Sequence, residues 1–254
     1  MRFQVYLPSD ELLPYVKQLV ISENEHAAAY TVLPDTALVI GFQYRGRLAY
    51  QEEDKENPLA TMGVTGLRDT YRIFQNTAGI GSVLVVFRDN GAARFLKAPL
   101  HALFGESLSL EHFFERQLLA DLEEQLVLAD GDKPRIRVVE DFLLRHLRQR
   151  PADLLVNRAL HYIHSSKGTI RIQELASLLN TSASPLEKRF RQEVGASPKK
   201  FATIVRARNV LAAMENGQQN YAAYLSAFYD QAHFIKDFKK FAAVTPEQYL
   251  KRLK

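Results

Sequence analysis

Cysteine is absent from the 254 residues of the chain. Its absence excludes disulfides, thiolate nucleophiles and cysteine-ligated zinc, and it fits a reducing compartment. The first residues, MRFQVYLPSDELLPY, lack the apolar segment of a secretory signal. No apolar run approaches the ~20 residues that are needed to cross a bilayer. We therefore expect a cytoplasmic protein that has no membrane partner.

Metal-binding and phosphate-binding motifs are also missing. Residues 1–106 hold only two histidines, His26 and His101, and no His-x-His pair. His161 and His164 lie three residues apart without a third ligand at suitable spacing, which favours ordinary surface or core histidines. Gly79-Ile80-Gly81 lacks the third glycine and the lysine of a phosphate-binding loop. We expect no metal, no cofactor, no catalytic residues and no enzymatic activity.

The charge is divided unevenly along the chain, although the formal net charge is only +4. Residues 158–254 carry 16 Lys and Arg against 7 Asp and Glu, a net charge of +9, whereas the rest carries −5. A basic carboxyl-terminal third favours a polyanionic partner for that part alone. A basic surface that only contacts water is an equally good interpretation of the charge taken by itself.

The first part of the chain is typical of short strands separated by turns. Ala37–Tyr44 and Ser82–Phe87 are rich in β-branched and aromatic residues. Turn sequences such as Pro34-Asp35 and Asp89-Asn90-Gly91 separate such runs. This spacing predicts a small barrel or sandwich. The two apolar strands could line a pocket or only a core.

From about Ser107 the apolar spacing becomes helical. It predicts one helix over Leu108–Leu128 and a second over Lys133–Gln149. A break at Arg150–Asp153 indicates a domain boundary. The expected fold is α+β, with a mainly-β, cupin-like domain at residues 1–106, a helical pair for linkage or dimerisation at 107–152, and an all-α domain at 153–254.

Beyond Asp153 every segment is predicted to be helical. Caps and breaks place helices over Leu154–Ser165, Ile172–Leu179 and Lys199–Glu215. Another helix begins at Ser182 or Ser184, where Glu187 could complete a capping box, and it ends at Gly195. The 17 residues of Lys199–Glu215 would extend about 25 Å, the right order to separate two DNA-reading helices by one turn of duplex, about 34 Å.

A doubled unit is the most informative feature of this region. FYDQAHFIKDFKKFAAVTPEQY (Phe228–Tyr249) has a turn, an amphipathic helix and a Thr-Pro helix start. A similar unit lies upstream, where SASPLEKRF (Ser182–Phe190) leads to GASPKKF (Gly195–Phe201). Two such units on a basic background predict insertion of two helices into successive major grooves of one duplex.

With these residues in view, the chain resembles AraC-family transcriptional regulators from about Asn157 to Leu253. The most specific matching residues are Leu175-Ala176, Ser182, Leu186, Phe190, Gly195, Ser197-Pro198, Arg206, Asp230, His233-Phe234, Phe238-Lys239, Pro246 and Tyr249. The preceding region, with VLPD (Val32–Asp35) and FRDNGAARFLKAP (Phe87–Pro99), is similar to the amino-terminal domain of one branch of that family.

The resemblance implies two helix-turn-helix units joined by the long helix Lys199–Glu215. Gln can pair with adenine, Lys with guanine, and Glu with cytosine. By position, the expected base-reading residues are Ser184, Glu187, Lys188, Arg191, Gln231, His233 and Lys236. The expected phosphate-contacting residues are Ser182, Lys199, Lys200, Lys239 and Lys240.

The second unit departs from the family pattern at three points. Ala227 stands where the family usually has glycine before the aromatic residue of the turn. A positive φ there would cost alanine on the order of 1 kcal/mol. Ala222-Ala223 replaces the usual Ile-Ala, and Ala232 stands where serine often precedes His-Phe. We expect the second unit to bind DNA more weakly, or mainly through the DNA backbone.

The leading hypothesis is a sequence-specific regulator that binds double-stranded DNA. Further expected partners are a small-molecule effector of unknown identity, RNA polymerase and a second copy of the chain. One alternative is a cupin-like small-molecule-binding protein or enzyme whose helical tail mediates protein contacts. Another is a structural adaptor whose basic surface binds acidic partners.

Overall fold

The computed structural model describes residues 1–52, 55–216 and 231–253, and side chains of the last segment from Ile235 onward. No helix in these segments is long and apolar enough to cross a membrane. The described strands are β1 Arg2–Tyr6, β2 Val16–Asn24, β3 Ala28–Val32, β4 Val39–Arg45, β5 Leu48–Glu52, β6 Lys55–Pro58, β7 Met62–Thr65, β8 Arg72–Asn76, β9 Ile80–Phe87 and β10 Ser107–Ser109. The described helices are α1 Arg116–Leu128, α2 Asp132–His146, α3 Leu154–Ser165, α4 Ile172–Leu178, α5 Ala183–Val194, α6 Pro198–Glu215, α7 Gln231–Ala242 and α8 Pro246–Arg252, with short 3-10 helices at Gly91–Arg94, Leu100–Leu103 and Leu110–His112.

The strands form two antiparallel sheets. Six strands pair in the order β1-β2-β9-β4-β7-β10, and four pair in the order β3-β8-β5-β6. The register between β4 and β9 pairs Ile40 with Val85 and Phe42 with Val83. These pairs hold apolar side chains opposite each other on one face, as antiparallel pairing requires. The fold is α+β, with a mainly-β amino-terminal part and a helical carboxyl-terminal part, as predicted.

The two faces of the six-stranded sheet have different neighbours. Ile40 and Phe42 point into the apolar core, where the Phe42 ring lies 5.9 Å from the ring of Phe142 in α2. The alternate residues Gly41 and Gln43 line a cavity on the opposite face. Successive side chains of a strand point to opposite faces, so one strand serves both the core and the cavity.

The helix predicted over Leu108–Leu128 is wrong in its first part. Residues 107–109 form β10, which pairs with β7, and α1 begins only at Arg116. Leu108 and Leu110 fit a two-residue period as well as a helical one, and pairing with an available sheet edge decides between them. The second predicted helix ends at His146, before Leu147.

The carboxyl-terminal helices follow the predicted boundaries closely. Ser197 caps α6, since its hydroxyl accepts a hydrogen bond from the Lys200 N–H at 3.2 Å, and Thr245 forms a capping box with Gln248 at the start of α8. Gly195 ends α5 in the left-handed conformation with φ of 93°. Residue 182 is the N-cap of α5, so the alternative start at Ser184 and its capping box are not formed.

The main apolar core is continuous across the predicted domain boundary. One cluster of buried residues runs from Leu12 to Val205, through the six-stranded sheet and helices α1 and α2, and into α3, α4, α5 and α6. A second cluster joins the end of α6 to α7. The domain limits 1–106, 107–152 and 153–254 therefore stay predictions.

Candidate nucleic-acid interface and ligand cavity

The first candidate reading surface is the outer face of α5. Ser184, Glu187, Lys188 and Arg191 are all exposed. Their spacing of three and four residues places them along one side of the helix. Arg191 and Glu187 form an ion pair at 3.5 Å, so two of the predicted base-reading side chains also contact each other. The structure thus brings this predicted set together on one accessible face.

The buried side of the same helix fixes its orientation. Leu186, Phe190 and Val194 are buried, and the Phe190 ring lies 5.5 Å from the ring of Phe201 in α6. The preceding helix α4 contributes Leu175 and Ala176 to the same core. These contacts explain why α5 presents its polar face outward, since rotation of the helix would expose three large apolar side chains.

The predicted phosphate-contacting residues near α6 are also exposed. Ser182 and Lys199 lie on the surface. Lys200 is exposed as well, but its Nζ lies 4.0 Å from the ring centroid of Phe104, a cation–π contact with the amino-terminal part of the chain. The first unit is therefore anchored next to the face that would meet DNA.

The first unit is anchored to the amino-terminal part by polar contacts as well. His164 and Asp89 lie 2.6 Å apart, and this contact raises the pKa of the imidazole against the opposing effect of burial. Arg150 pairs with Glu193 of α5 at 2.7 Å. Together with the continuous core, these contacts hold α3 and α5 against the strand domain.

The second candidate reading surface lies on α7. Lys236 and Lys239 are exposed. The side chains of Gln231 and His233, both predicted to read bases, lie outside the described residues, as do Ala227 and the rest of 217–230. On the buried side, the Phe238 ring lies 5.8 Å from Tyr249 of α8, whose hydroxyl donates to Glu215 Oε1 at 2.6 Å.

Lys240, another predicted phosphate-contacting residue, contacts the amino-terminal part of the chain. Its Nζ lies 3.3 Å from the carboxylate of Asp69, and its backbone carbonyl accepts a hydrogen bond from the Tyr71 N–H at 3.4 Å. On the spacer helix α6, Arg208 forms an ion pair with Asp35 at 3.5 Å. Sequence reasoning missed these contacts because they join residues far apart in the chain.

A cavity of about 560 Å³ lies between the two sheets. Its walls are largely apolar and include Val39, Leu84 and Val86 of the six-stranded sheet and Tyr30 and Phe74 of the other. This volume is within the ~300–1,000 Å³ range of small-molecule sites. The sequence left open whether the apolar strands line a pocket or a core, and the structure shows that they do both.

One guanidinium in the cavity wall lacks a full set of partners. Arg68 donates from Nη2 to the Gly105 carbonyl at 2.7 Å, but its Nε is buried without a hydrogen bond to any described residue. Burial, together with the charge of neighbouring Arg72, lowers the pKa of Arg68 to about 10. Arg72 itself is satisfied by Ser107 and Gly105. Arg68 is thus a cationic donor that could bind an acceptor inside the cavity.

The described residues contain no group of three histidine, aspartate or glutamate side chains that could hold a metal ion. His161, which lies three residues before His164, is exposed, and His164 forms a close contact with Asp89, in keeping with the interpretation of both as ordinary histidines. The alternative of a metal-dependent cupin enzyme therefore gains no support from the described part of the chain.

Comparisons with known families match two segments. Residues 175–252 match a family described as "Helix-turn-helix domain". Residues 4–109 match a family described as "Domain of unknown function (DUF6597)". The two segments correspond to the helical carboxyl-terminal part and to the strand-rich part.

Two curated relatives carry regulator names. The Msm operon regulatory protein of Streptococcus mutans serotype c is 28% identical over 156 residues, which are 59% of this chain and 56% of that protein. A protein of Haemophilus influenzae named as an uncharacterized HTH-type transcriptional regulator is 33% identical over 82 residues, 32% of this chain and 28% of that protein. The chain thus spans about half the length of the first relative and about a quarter of the second.

Solved structures of similar chains include ToxT from Vibrio cholerae. One ToxT structure superposes with a TM-score of 0.47 and 14% identity, covering 99% of this chain and 98% of that one. The AraC-like transcriptional activator CuxR superposes with a TM-score of 0.32 and 15% identity, covering 88% and 91%. The family match to residues 175–252 and the regulator names of the relatives agree with the resemblance read from the sequence: the carboxyl-terminal part of this chain is an AraC-type helix-turn-helix domain.

Proposed function

We propose that the chain is a transcriptional regulator that binds specific sequences in double-stranded DNA through residues 157–254 and is not an enzyme. The observation that carries this proposal is the exposed polar face of α5, held outward by a buried apolar face, within a matched helix-turn-helix domain. The side chains on this face, Ser184, Glu187, Lys188 and Arg191, are able to bond to base edges in a major groove.

The spacer helix supports a two-unit mode of binding. The 18 residues of α6 extend about 27 Å. Helices α5 and α7 flank this spacer, and both carry exposed basic residues. We propose that the two helices read neighbouring major-groove segments, with Lys199 and Lys239 contacting phosphates. Because the side chains of Gln231 and His233 are not described, their base-reading role rests on the family resemblance.

The cavity between the sheets is our proposed effector site. It combines apolar walls with the Arg68 guanidinium, whose buried Nε has no hydrogen-bond partner among the described residues. This combination favours a small molecule that has an apolar body and a hydrogen-bond acceptor. We propose that such a regulator acts in the cytoplasm, where the sequence predicts the protein to be located. RNA polymerase and a second copy of the chain remain expected partners.

Selection of bound duplexes from a random pool by the full chain tests the proposal. We expect an enriched motif that the protein binds more tightly than a scrambled duplex at ~150 mM salt. Equal binding of the two duplexes would contradict the proposal and favour the basic adaptor.

Substitutions separate the two kinds of DNA contact. Lys236→Ala should relax base preference at particular positions by about 1–3 kcal/mol. Lys199→Ala should weaken the binding of all duplexes by the same factor. It should also reduce the slope of the logarithm of affinity against the logarithm of salt concentration by about one. Lys133→Ala, on the exposed face of α2, is the matched control and should change neither quantity.

A further inference from the structure

The segment between α2 and α3, residues 147–153, lies against the chain around Arg94. The Arg148 N–H donates to the Arg94 carbonyl at 2.9 Å, and the Arg94 guanidinium donates to the Arg150 carbonyl. The Arg150 guanidinium donates to the Ala93 carbonyl at 3.1 Å. Arg94, Arg148 and Arg150, which we call the arginine cluster, therefore lie around one point of the surface.

A pocket of about 390 Å³ lies beside the arginine cluster. All three arginines line it, together with Tyr15 and Pro151. The Arg94 guanidinium lies 5.5 Å from the centroid of the Tyr15 ring, a cation–π contact that fixes one wall of the pocket. None of these residues lines the cavity between the sheets, so the pocket is a separate site, of a size that suits a small molecule.

The pocket has an excess of positive charge. Glu193 of α5 pairs with Arg150 at 2.7 Å, whereas Arg94 and Arg148 form no ion pair with any described residue. Three cations against one carboxylate leave a local charge of about +2. A concave surface lined by charges of one sign concentrates its electric field and attracts ions of the opposite sign. The charge of this pocket therefore favours an anionic ligand.

The arginine cluster also retains unused hydrogen-bond donors. The Arg150 Nε is buried and has no hydrogen-bond partner among the described residues. Within the described part of the chain, the Arg148 guanidinium reaches only the Leu96 carbonyl, at 3.4 Å. A buried donor without an acceptor is costly, and the forked N–H groups of arginine fit the oxygens of a phosphate group. Main-chain carbonyls hold the arginines in place, but carbonyls are neutral and leave the charge of the cluster uncompensated.

We propose that this pocket binds the phosphate group of a small polar molecule, held by the arginine cluster. A phosphate group carries a charge of about −1.5 to −2 at pH 7, which matches the local excess of positive charge. The lining of the pocket is mostly polar, unlike the walls of the cavity between the sheets, so the rest of the molecule is polar as well. This site goes beyond the proposed function, because it uses neither that cavity nor any residue that is expected to contact DNA.

Calorimetric titration of the full chain with inorganic phosphate, at constant ionic strength and without DNA, tests the site. We expect saturable binding, and Arg148→Gln should raise the Kd at least about tenfold because it removes a charged donor. The Arg148 side chain is exposed and weakly bonded, so we expect the variant to fold. Arg137→Gln, on the exposed surface of α2, is the matched control and should leave the Kd unchanged.

Glu193→Gln tests the opposite direction. This near-isosteric change removes the carboxylate that pairs with Arg150. Phosphate binding should become about 1.5- to 5-fold tighter, the range that corresponds to the loss of a partly exposed ion pair. Arginines that only hold the segment in place would give no such gain, so an unchanged or weaker affinity in Glu193→Gln would overturn the proposal.

Three other results would also contradict the proposed site. The first is the absence of saturable binding up to about 10 mM phosphate, and the second is the same Kd for Arg148→Gln as for the control. The third is loss of phosphate binding in Lys199→Ala but not in Arg148→Gln, which would place the anion on the DNA-binding surface.

A selected duplex distinguishes a small molecule from DNA as the source of the phosphate group. Arg148→Gln should leave duplex affinity within about twofold of wild type at every salt concentration. A decrease of about one in the slope of the logarithm of affinity against the logarithm of salt concentration would show that a DNA phosphate occupies the pocket, and the assignment to a small molecule would be wrong. Because the calorimetry contains no DNA, its failure is distinguishable from a failure of the proposed DNA-binding function.

Discussion

Asp153 combines two stabilising contacts at the start of the DNA-binding part. Its Oδ1 accepts a hydrogen bond from the Val156 N–H at 3.0 Å, which caps α3. Its two oxygens also accept from Arg189 of α5 at 2.8 Å and 2.7 Å. One carboxylate therefore begins one helix and ties it to another.

The two contacts can be separated by the choice of substitution. Asp153→Ala removes the helix cap, which contributes about 1 kcal/mol to the free energy of unfolding. It also removes the ion pair, which contributes up to about 1 kcal/mol because the Arg189 side chain is half exposed. The total loss is therefore about 2 kcal/mol. Asp153→Asn keeps a capping oxygen and should lose only the ionic part, about 0.2–1 kcal/mol. In thermal unfolding, Asp153→Ala should lower Tm by roughly 4–8 °C for a protein of this size.

The same carboxylate predicts a pH dependence. Burial alone would raise the pKa of Asp153, but the Arg189 guanidinium and the N–H groups of Val156 and Leu155 outweigh it and hold the pKa below its ordinary value of 3.8. A lowered pKa contributes stability that is present above the unfolded value and lost as pH falls through the folded value. The difference in the free energy of unfolding between wild type and Asp153→Asn should therefore be largest at pH 7 and should disappear below about pH 4.

Urea unfolding of the variants provides the measurement, with Asp130→Ala as an exposed control that should stay within about 0.5 kcal/mol of wild type. The capping argument is wrong if Asp153→Asn costs as much as Asp153→Ala. The ion-pair argument is wrong if Arg189→Met costs nothing, or if its effect adds fully to that of Asp153→Asn.

Three further predictions follow from other parts of the structure. Gly195→Ala should destabilise the protein by about 1–2 kcal/mol, because φ is 93° and the added Cβ would lie 3.1 Å from a backbone carbonyl oxygen; a neutral result in urea unfolding would contradict this. His164→Gln should remove stability that is present below the unfolded pKa of 6.5 and is lost as pH rises through the raised folded pKa, so its effect on urea unfolding should be larger at pH 5.5 than at pH 8.5. Gly41→Val should narrow the cavity and weaken binding of any ligand found there, while Tm changes little, since its Cβ meets only the Leu84 side chain at 3.5 Å; unchanged ligand affinity by calorimetry would place the effector elsewhere.

Local signals in the sequence were enough to define most of the carboxyl-terminal helices. Leu154–Ser165 is confirmed residue for residue, and Ser197 and Gly195 act as the cap and the stop that were predicted. Apolar period and end caps involve residues within a few positions of each other, so the chain itself specifies them. The set on α5 was expected from the family resemblance, by position within the first helix-turn-helix unit.

Prediction was weaker where a neighbouring strand decides the structure. Residues 107–109 join β7 as a strand although their spacing also suits a helix. Residue 182 is the N-cap position of α5, but its side chain makes no capping hydrogen bond, and α5 begins at Ala183, one residue before Ser184. Short segments carry too little periodicity to choose between such states, and the choice depends on pairing with distant residues.

The sequence by itself determined the helical units, their polar faces and the basic character of the carboxyl-terminal third, because these depend on residue spacing and charge along the chain. Only the tertiary structure decided that β4 and β9 separate a core from a cavity, that Arg68 enters the wall of that cavity, and that Lys240 contacts Asp69. These features join residues that lie far apart in the chain. Burial and ion pairing between such residues arise only when the sheets and helices pack together, so no local pattern can specify them.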